Sequence, residues 1–133
     1  MELVEIINTK KQLNVYEAML EHSTIRVACI NHMVMNDVSA TNVKISDANL
    51  SDLELSYAQL GGAYIHNIGL PPEGHPHYDP NAKQRPLKFE NCFLEGSTIT
   101  NCNLTDVKIS DCDLTGMTIN GILVDDLLKA YQK

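Results

Sequence analysis

The chain has 133 residues, a formal net charge of −7, four cysteines and no tryptophan. This length predicts one domain, and no apolar run is long enough for a membrane span. The acidic balance is unlike the basic surface that binds DNA or RNA directly, so no direct nucleic-acid partner is expected. The first five residues lack the basic start and apolar stretch of a signal peptide, which predicts a cytoplasmic protein.

Residues 1–24 are predicted to form an N-terminal cap made of a short strand and a helix. Asn8 and Thr9 could cap such a helix. Three apolar side chains would share one of its faces: Leu13, Tyr16 and Leu20. Residues 13–15 and 18–20 also keep the five-residue spacing of the following segment. The alternative to a helix is therefore an early start of that repeat.

A large apolar residue recurs at nearly every fifth position in two blocks, from residue 25 to residue 70 and from residue 89 to residue 124. This period matches neither the 3.6 of a helix nor the 2 of a strand. The position two residues after each large apolar residue is almost always Asp, Asn or Gly, types that favour turns. Thirteen residues occupy this predicted corner row: Asp37, Asn42, Asp47, Asp52, Gly62, Asn67, Asn91, Gly96, Asn101, Asp106, Asp111, Gly116 and Gly121.

A corner every five residues closes a four-sided coil of about 20 residues, and such coils bury their apolar face only by stacking on one another. The large apolar residues are then expected to point inward. The predicted structural core consists of Leu50, Leu55, Leu60, Ile99, Leu104, Ile109 and Leu114.

Three pentads carry the motif most clearly: Ala48-Asn49-Leu50-Ser51-Asp52, Cys102-Asn103-Leu104-Thr105-Asp106 and Cys112-Asp113-Leu114-Thr115-Gly116. The chain resembles the pentapeptide-repeat proteins, whose family motif is Ala-Asp/Asn-Leu-X-X. The resemblance covers residues 25–124 and implies an all-β, right-handed quadrilateral β-helix of about 4–5 coils. Five residues depart from the motif before the large apolar residue, at an outward position: Lys44, Tyr64, Lys88, Phe93 and Lys108.

Cys92 and Cys112 are twenty positions apart, which is one predicted coil, so they are expected to stack. Stacked coils would place their Cα atoms within disulfide range. Because both occupy the small inward position, they are predicted to act as compact apolar residues with reduced thiols.

The repeat is interrupted once, between Leu70 and Phe89, where nineteen residues replace the expected five. The inserted segment, residues 71–86, contains all five prolines of the chain. Proline cannot donate to a strand ladder, so this segment is predicted to project as a stiff loop. Long loops in compact domains are often functional. The candidate interaction residues are His75, His77, Tyr78, Asp79 and Arg85.

His75, His77 and Asp79, with His66 nearby, raise the question of a metal site. One His-x-His without a defined third ligand does not predict one, so no metal and no cofactor are expected. The sequence also lacks a nucleophile–base arrangement and a phosphate-binding glycine motif. No catalytic residues are assigned, and the chain is not expected to be an enzyme.

Residues 125–133 are predicted to form a short helix, with acidic residues in its first turn and lysines near its end. Leu127, Leu128 and Tyr131 give it one apolar face. This helix is expected to cap the last coil. The alternative is a contact between two chains, which leaves a monomer and a C-terminal homodimer both open.

The predicted function is a non-catalytic protein–protein interaction module or scaffold. The resemblance implies an alternative, an acidic DNA mimic that modulates a type II topoisomerase such as gyrase. The coil surface carries nine acidic residues against three lysines, a net charge of −6. About 4.5 coils at ~4.8 Å each span ~22 Å, over which duplex DNA carries ~13 charges. The lower charge favours the interaction module.

Overall fold

A computed structural model describes residues 2–132. It contains three regular elements in chain order: strand β1 (Thr118–Ile119), strand β2 (Ile122–Leu123) and helix α1 (Val124–Tyr131). The chain divides into two compact units, one ending at Gly61 and one beginning at Gly62. In neither unit does the described chain contain a helix long and apolar enough to cross a membrane.

The first unit turns at every fifth residue. The corner residues adopt the left-handed backbone conformation, with positive φ at Glu17, His22, Val27, His32, Asp37, Asn42, Asp47, Asp52 and Tyr57. Asn and Asp adopt this conformation more readily than other residues with a Cβ atom. Every residue of the predicted corner row within this unit has a positive φ, so this part of the prediction is confirmed.

The N-terminal segment differs from the predicted cap. Residues 2–24 form neither a strand nor a helix in the structure. Instead, Glu17 and His22 are corners in phase with Val27 and His32. The alternative of an early repeat therefore describes this segment better. Its physical basis is the spacing of Val15 and Leu20, each two residues before a corner.

Successive corners alternate between a hydrogen-bonded turn and an open bend. The Leu53 N–H donates to the Leu50 carbonyl at 3.1 Å, and the Met33 N–H donates to the Ile30 carbonyl at 3.3 Å. In both turns the third residue has a positive φ, which is the type II geometry. The same turn recurs in the second unit from Leu94 to Ser97, from Leu104 to Val107 and from Leu114 to Met117.

The second unit continues the corner row on both sides of the inserted loop. Positive φ values occur at Gly62, Asn67, Asn91, Gly96, Asn101, Asp106, Asp111 and Gly116. The corner at Asn91 follows Phe89 by two residues, as every corner follows its large apolar residue. The predicted return of the repeat after the loop is therefore confirmed.

The repeat ends in a β-hairpin that the five-residue pattern did not predict. β1 and β2 pair antiparallel, with Thr118 opposite Leu123 and Ile119 opposite Ile122. Asn120 and Gly121 connect them, and both have positive φ, at 49° and 80°. This is the type I′ turn that matches the twist of a hairpin, and Asn-Gly is its preferred sequence. The Asn-Gly dipeptide therefore indicates the hairpin, although the five-residue spacing assigned Gly121 to the corner row.

Helix α1 begins directly after β2, one residue earlier than predicted. The Val124 N–H donates to the Met117 carbonyl at 3.0 Å, which extends the hairpin pairing into the start of the helix. Asp125 and Asp126 lie in the first turn and Lys129 in the last, as the helix dipole favours. Among the described residues Val124 is the only buried apolar side chain, at 8% exposure.

The predicted interior row is not enclosed in this structure. Six of its seven side chains are 46–69% exposed, and Leu114 is half-buried: Leu50, Leu55, Leu60, Ile99, Leu104, Ile109 and Leu114. An inward side chain of a coil is covered only when the next coil stacks on it. The backbone hydrogen bonds described within the repeats are local turns, with no ladder between coils. The corners are therefore formed while the coils remain open.

Val27 has a φ of 48° and a fully exposed side chain. Its side chain is β-branched, and β-branched residues strongly disfavour this left-handed backbone conformation. Replacing Val27 with Asn should raise the free energy of unfolding by about 1 kcal/mol, because Asn tolerates this conformation better. Val27→Ala is the matched control, since it retains a Cβ atom at the same corner. Urea unfolding of the three proteins measures the difference. Equal midpoints for Val27→Asn and the parent chain would contradict a strained corner.

Candidate functional site

Within the inserted loop, residues 71–86, residues 72–82 form three consecutive turns. The His75 N–H donates to the Pro72 carbonyl at 3.0 Å, the Tyr78 N–H to the His75 carbonyl at 2.9 Å, and the Ala82 N–H to the Asp79 carbonyl at 3.2 Å. Gly74, the third residue of the first turn, has a φ of 94°, which a residue with a Cβ atom would strain to adopt. The loop therefore has its own local hydrogen bonds.

His75 is the centre of these turns. Its ring is half-buried, and its Nδ1 accepts a hydrogen bond from the His77 N–H at 3.0 Å. An accepting Nδ1 carries no proton, so the neutral ring must hold its proton on Nε2. The two imidazole rings lie 5.6 Å apart between centroids, tilted by 42°. The loop thus brings the two predicted histidines together.

Asp79 and Tyr78 complete the first half of the loop. The Asp79 Oδ1 accepts from the Asn81 N–H at 2.9 Å, the Asx turn expected of such a residue. Tyr78 retains 43% exposure, so its ring is available on the loop surface. Arg85 lies further along, where the Gln84 side-chain amide donates to the Arg85 carbonyl at 3.0 Å.

His66 has a different environment from the loop histidines. Its ring stacks on Tyr64 at 4.1 Å between centroids, and its Nδ1 lies 2.9 Å from the Asn67 Oδ1. Within residues 2–132 the structure brings together no group of three His, Cys, Asp or Glu side chains that could hold a metal ion. His66, His75 and His77 are therefore not assembled into one site.

A recurring pair of hydrogen bonds explains the residue types on both sides of the large apolar residue. The Asn103 Oδ1 accepts from the Thr105 N–H at 3.0 Å and from the Thr105 Oγ1 at 2.6 Å. Asn49 with Ser51, and Asp113 with Thr115, repeat this arrangement. The Asn or Asp before the apolar residue thus fixes the start of the corner. In the sequence, these bonds correspond to an Asn or Asp followed two residues later by Ser or Thr. The composition alone could not distinguish this specific bonding from a general preference of these residues for turns.

One departure from the motif replaces these bonds with an ion pair. Lys88 occupies the position of the expected Asn or Asp, and its Nζ lies 3.1 Å from the Glu90 Oε2. Lys88 and Glu90 are two positions apart in the sequence, as Asn103 and Thr105 are. Both side chains are mostly exposed, so the pair contributes at most about 1 kcal/mol.

The Thr115 hydroxyl is the main cause of a lowered pKa at the Asp113 carboxyl, and the Thr115 N–H adds to it. A group with a lowered pKa stabilises the fold above its ordinary value of 3.8 and loses this contribution as the pH falls below it. We expect NMR to show the Asp113 carboxyl titrating below 3.8, and Thr115→Val to move its pKa upward. Asp113→Asn is the control, because Asn accepts the same bonds, as Asn103 does, without titrating. An Asp113 titration unchanged by Thr115→Val would contradict this cause.

Three cysteines occur at ten-residue intervals in the same local setting. Cys92, Cys102 and Cys112 each direct the thiol to the carbonyl oxygen two residues earlier, at 3.3, 3.2 and 3.2 Å. All three are exposed and unpaired, as is Cys29. These cysteines were expected to be compact interior residues, but in this structure they are exposed. The reason is the same as for the large apolar residues, because no stacked coil covers them.

Residues about one predicted coil apart border common clefts. In the first unit, residues 11–13 and 29–34 line a cleft of about 570 Å³. In the second unit, Lys88 and Lys108, twenty positions apart, line a cleft of about 410 Å³ together with residues of their own segments. The twenty residues that separate Lys88 from Lys108 are the spacing expected of one four-cornered coil.

Comparison with known proteins agrees with the corners and the hydrogen-bonded motif. Residues 87–116 match the family model described as pentapeptide repeats (8 copies). The chain therefore contains pentapeptide repeats, and the predicted resemblance is confirmed. Such repeats imply a β-helix fold. No curated protein and no solved structure matches the chain.

Proposed function

We propose that this protein is a non-catalytic interaction module, in which pentapeptide-repeat coils present residues 71–86 to a partner protein. The observation that carries the proposal is the local order of the loop. Three consecutive turns and the His77–His75 hydrogen bond order residues 72–82 through local bonds. A loop ordered before binding loses less conformational entropy when it binds.

The surface of the loop suits recognition of a protein. Tyr78 offers an aromatic ring with a hydroxyl group, a side chain that is enriched at protein interfaces. His77 and Asp79 flank it in the chain, and Arg85 adds a positive charge elsewhere in the same loop. Direct binding of nucleic acid would need a basic surface that contacts phosphate groups. The net charge of −7 repels phosphate instead.

For the scaffold we propose a right-handed quadrilateral β-helix of about 4–5 coils. The corners recur every five residues, and the clefts join residues one coil apart. Stacking of the coils would close those clefts and cover the large apolar residue of each pentad. Left uncovered, these residues expose far more apolar surface than soluble proteins usually tolerate. Helix α1 would then lie at the end of the last coil as its cap.

Replacing residues 71–86 with a two-residue corner linker tests the binding proposal. We expect the variant to keep the circular dichroism spectrum of the repeats, because the corner row resumes at Asn91. It should lose the proteins that the intact chain retains in affinity capture from a native lysate. Tyr78→Ala should weaken that retention about ten-fold, since aromatic side chains are frequent hot spots.

Tyr64→Ala is the matched control, because Tyr64 is an exposed tyrosine outside the loop, 82% exposed. Retention of the same proteins without the loop would contradict the proposal. Loss of the folded spectrum in the loop replacement would show that the loop stabilises the coils instead. Inhibition of gyrase supercoiling by both the intact and the loop-replaced chain would favour the DNA-mimic alternative.

A further inference from the structure

We propose that the turn from His75 to Tyr78 is a pH-sensitive switch, which is closed while the His75 imidazole is neutral and opens when that ring takes up a proton. The switch is a property of the inserted loop itself and needs no bound partner. Its consequence for binding, a weaker hold on a partner protein at lower pH, rests on the proposed interaction role of the loop.

His75 takes part in three hydrogen bonds of the loop. Its N–H donates to the Pro72 carbonyl at 3.0 Å, and its carbonyl accepts the Tyr78 N–H at 2.9 Å. Its Nδ1 accepts the His77 N–H at 3.0 Å, inside the turn that the Tyr78 bond closes. The side chain and the backbone of one residue therefore hold the same short segment, which ends at the tyrosine proposed to contact a partner.

The bond to Nδ1 is the one that depends on protonation. Nδ1 can accept a hydrogen bond only in the neutral ring, because both nitrogens of an imidazolium are donors. A proton on Nδ1 would therefore oppose the donating His77 N–H. Histidine is the side chain that ordinarily changes its charge between about pH 5 and 8. Since the closed turn binds the neutral ring, it takes up fewer protons than the open turn and loses stability as the pH falls.

The surroundings of the His75 ring would not compensate a positive charge. The ring faces that of His77, at 5.6 Å between centroids, so a charge on both rings adds repulsion. Across the described chain neither ring forms an ion pair. The nearest acidic residues in the sequence are Glu73 and Asp79, and the Asp79 Oδ1 already accepts the Asn81 N–H.

That second bond provides a reference within the same loop. The Asn81 N–H donates to the Asp79 Oδ1 at 2.9 Å, across the same two-residue spacing as the His77 N–H and the His75 Nδ1. Carboxyl groups ordinarily titrate at lower pH than imidazoles. The Asn81 N–H should therefore keep its acceptor over the range in which the His77 N–H loses its own.

NMR of the full chain between about pH 8 and about pH 5 tests the switch. We measure how far the His77 N–H is protected from solvent exchange, relative to its intrinsic exchange rate at each pH. This protection should fall about five-fold as the pH is lowered, the effect of losing one hydrogen bond. The protection of the Asn81 N–H should stay constant.

Two variants separate the bond to Nδ1 from the charge of the second ring. In His75→Asn the amide oxygen can accept the same N–H without titrating, so the protection at position 77 should be independent of pH. His77→Gln keeps the backbone donor and removes only the neighbouring ring, so it should respond to pH as the parent chain does.

Constant protection of the His77 N–H over this range would overturn the proposal, and so would an equal fall in His75→Asn. A pH response that disappears in His77→Gln would assign the opening to repulsion between two charged rings, and would reject the switch at Nδ1.

Affinity capture at the same two pH values distinguishes failure of the switch from failure of the interaction role. The parent chain should retain about five-fold less of its captured proteins at the lower pH, because a loosened turn must be ordered again on binding. His75→Asn should retain similar amounts at both. The NMR response without any loop-dependent retention would reject the interaction role and keep the switch. Loop-dependent retention at both pH values, with constant His77 protection, would reject the switch and keep the interaction role.

Discussion

Leu104→Ala should lower the free energy of unfolding by about 2–5 kcal/mol, the loss observed for buried leucines. The expected size comes from the proposed stacking of coils, which would enclose the side chain between the residues one coil before and after it. In the open coils of this structure Leu104 is 53% exposed. Its truncation there would remove only part of the contacts of a core residue.

Lys108→Ala is the matched control for Leu104→Ala. Lys108 lies in the next pentad at the outward position, so its replacement should change stability by no more than about 0.5 kcal/mol. Urea unfolding followed by circular dichroism measures both variants on the same scale. A small, equal effect of the two substitutions would mean that the coils stay open in solution.

Val124→Ala should cost about 1.5–3 kcal/mol, the value of burying such a side chain. Val124 is 8% exposed, joins the hairpin to helix α1 and donates its N–H to the Met117 carbonyl. An eight-residue helix is marginal on its own, so we expect its circular dichroism signal to weaken as this contact is lost.

Leu123→Ala provides the comparison for Val124→Ala. Leu123 is the adjacent residue on β2, with 43% exposure, and its truncation should cost clearly less. Equal losses for the two variants would show that the helix is not held by Val124. Loss of helix signal in Leu123→Ala alone would place the anchor on β2 instead.

The open face of α1 is a consequence of this anchoring. Leu127 and Leu128 are 42% and 47% exposed, and Tyr131 is 90% exposed. The predicted apolar face of the helix exists, but in the described structure Val124, one turn earlier, makes the buried contact. Capping of the last coil by this face stays a prediction, as does the homodimer alternative.

The sequence by itself determined the corners. Most corners from residue 37 onward carry Asp, Asn or Gly, which favour a positive φ through local sterics that need no distant partner, whereas Val27 and Tyr57 adopt it without that preference. The same local character explains why the Asn103–Thr105 bonds recur unchanged in other pentads. It also explains why the loop between Leu70 and Phe89 could be located from its prolines.

Only the tertiary structure decided what happens at the two ends. At the C-terminus, Ile119 and Ile122 keep the apolar spacing of the repeat, yet they pair across the Asn120-Gly121 turn because that dipeptide favours a hairpin. At the N-terminus, Glu17 and His22 join the corner row and residues 2–24 form no helix, since an isolated short helix gains too little without a packed face. Periodicity specifies which residues turn and which are apolar, whereas covering an apolar side chain depends on residues distant in sequence.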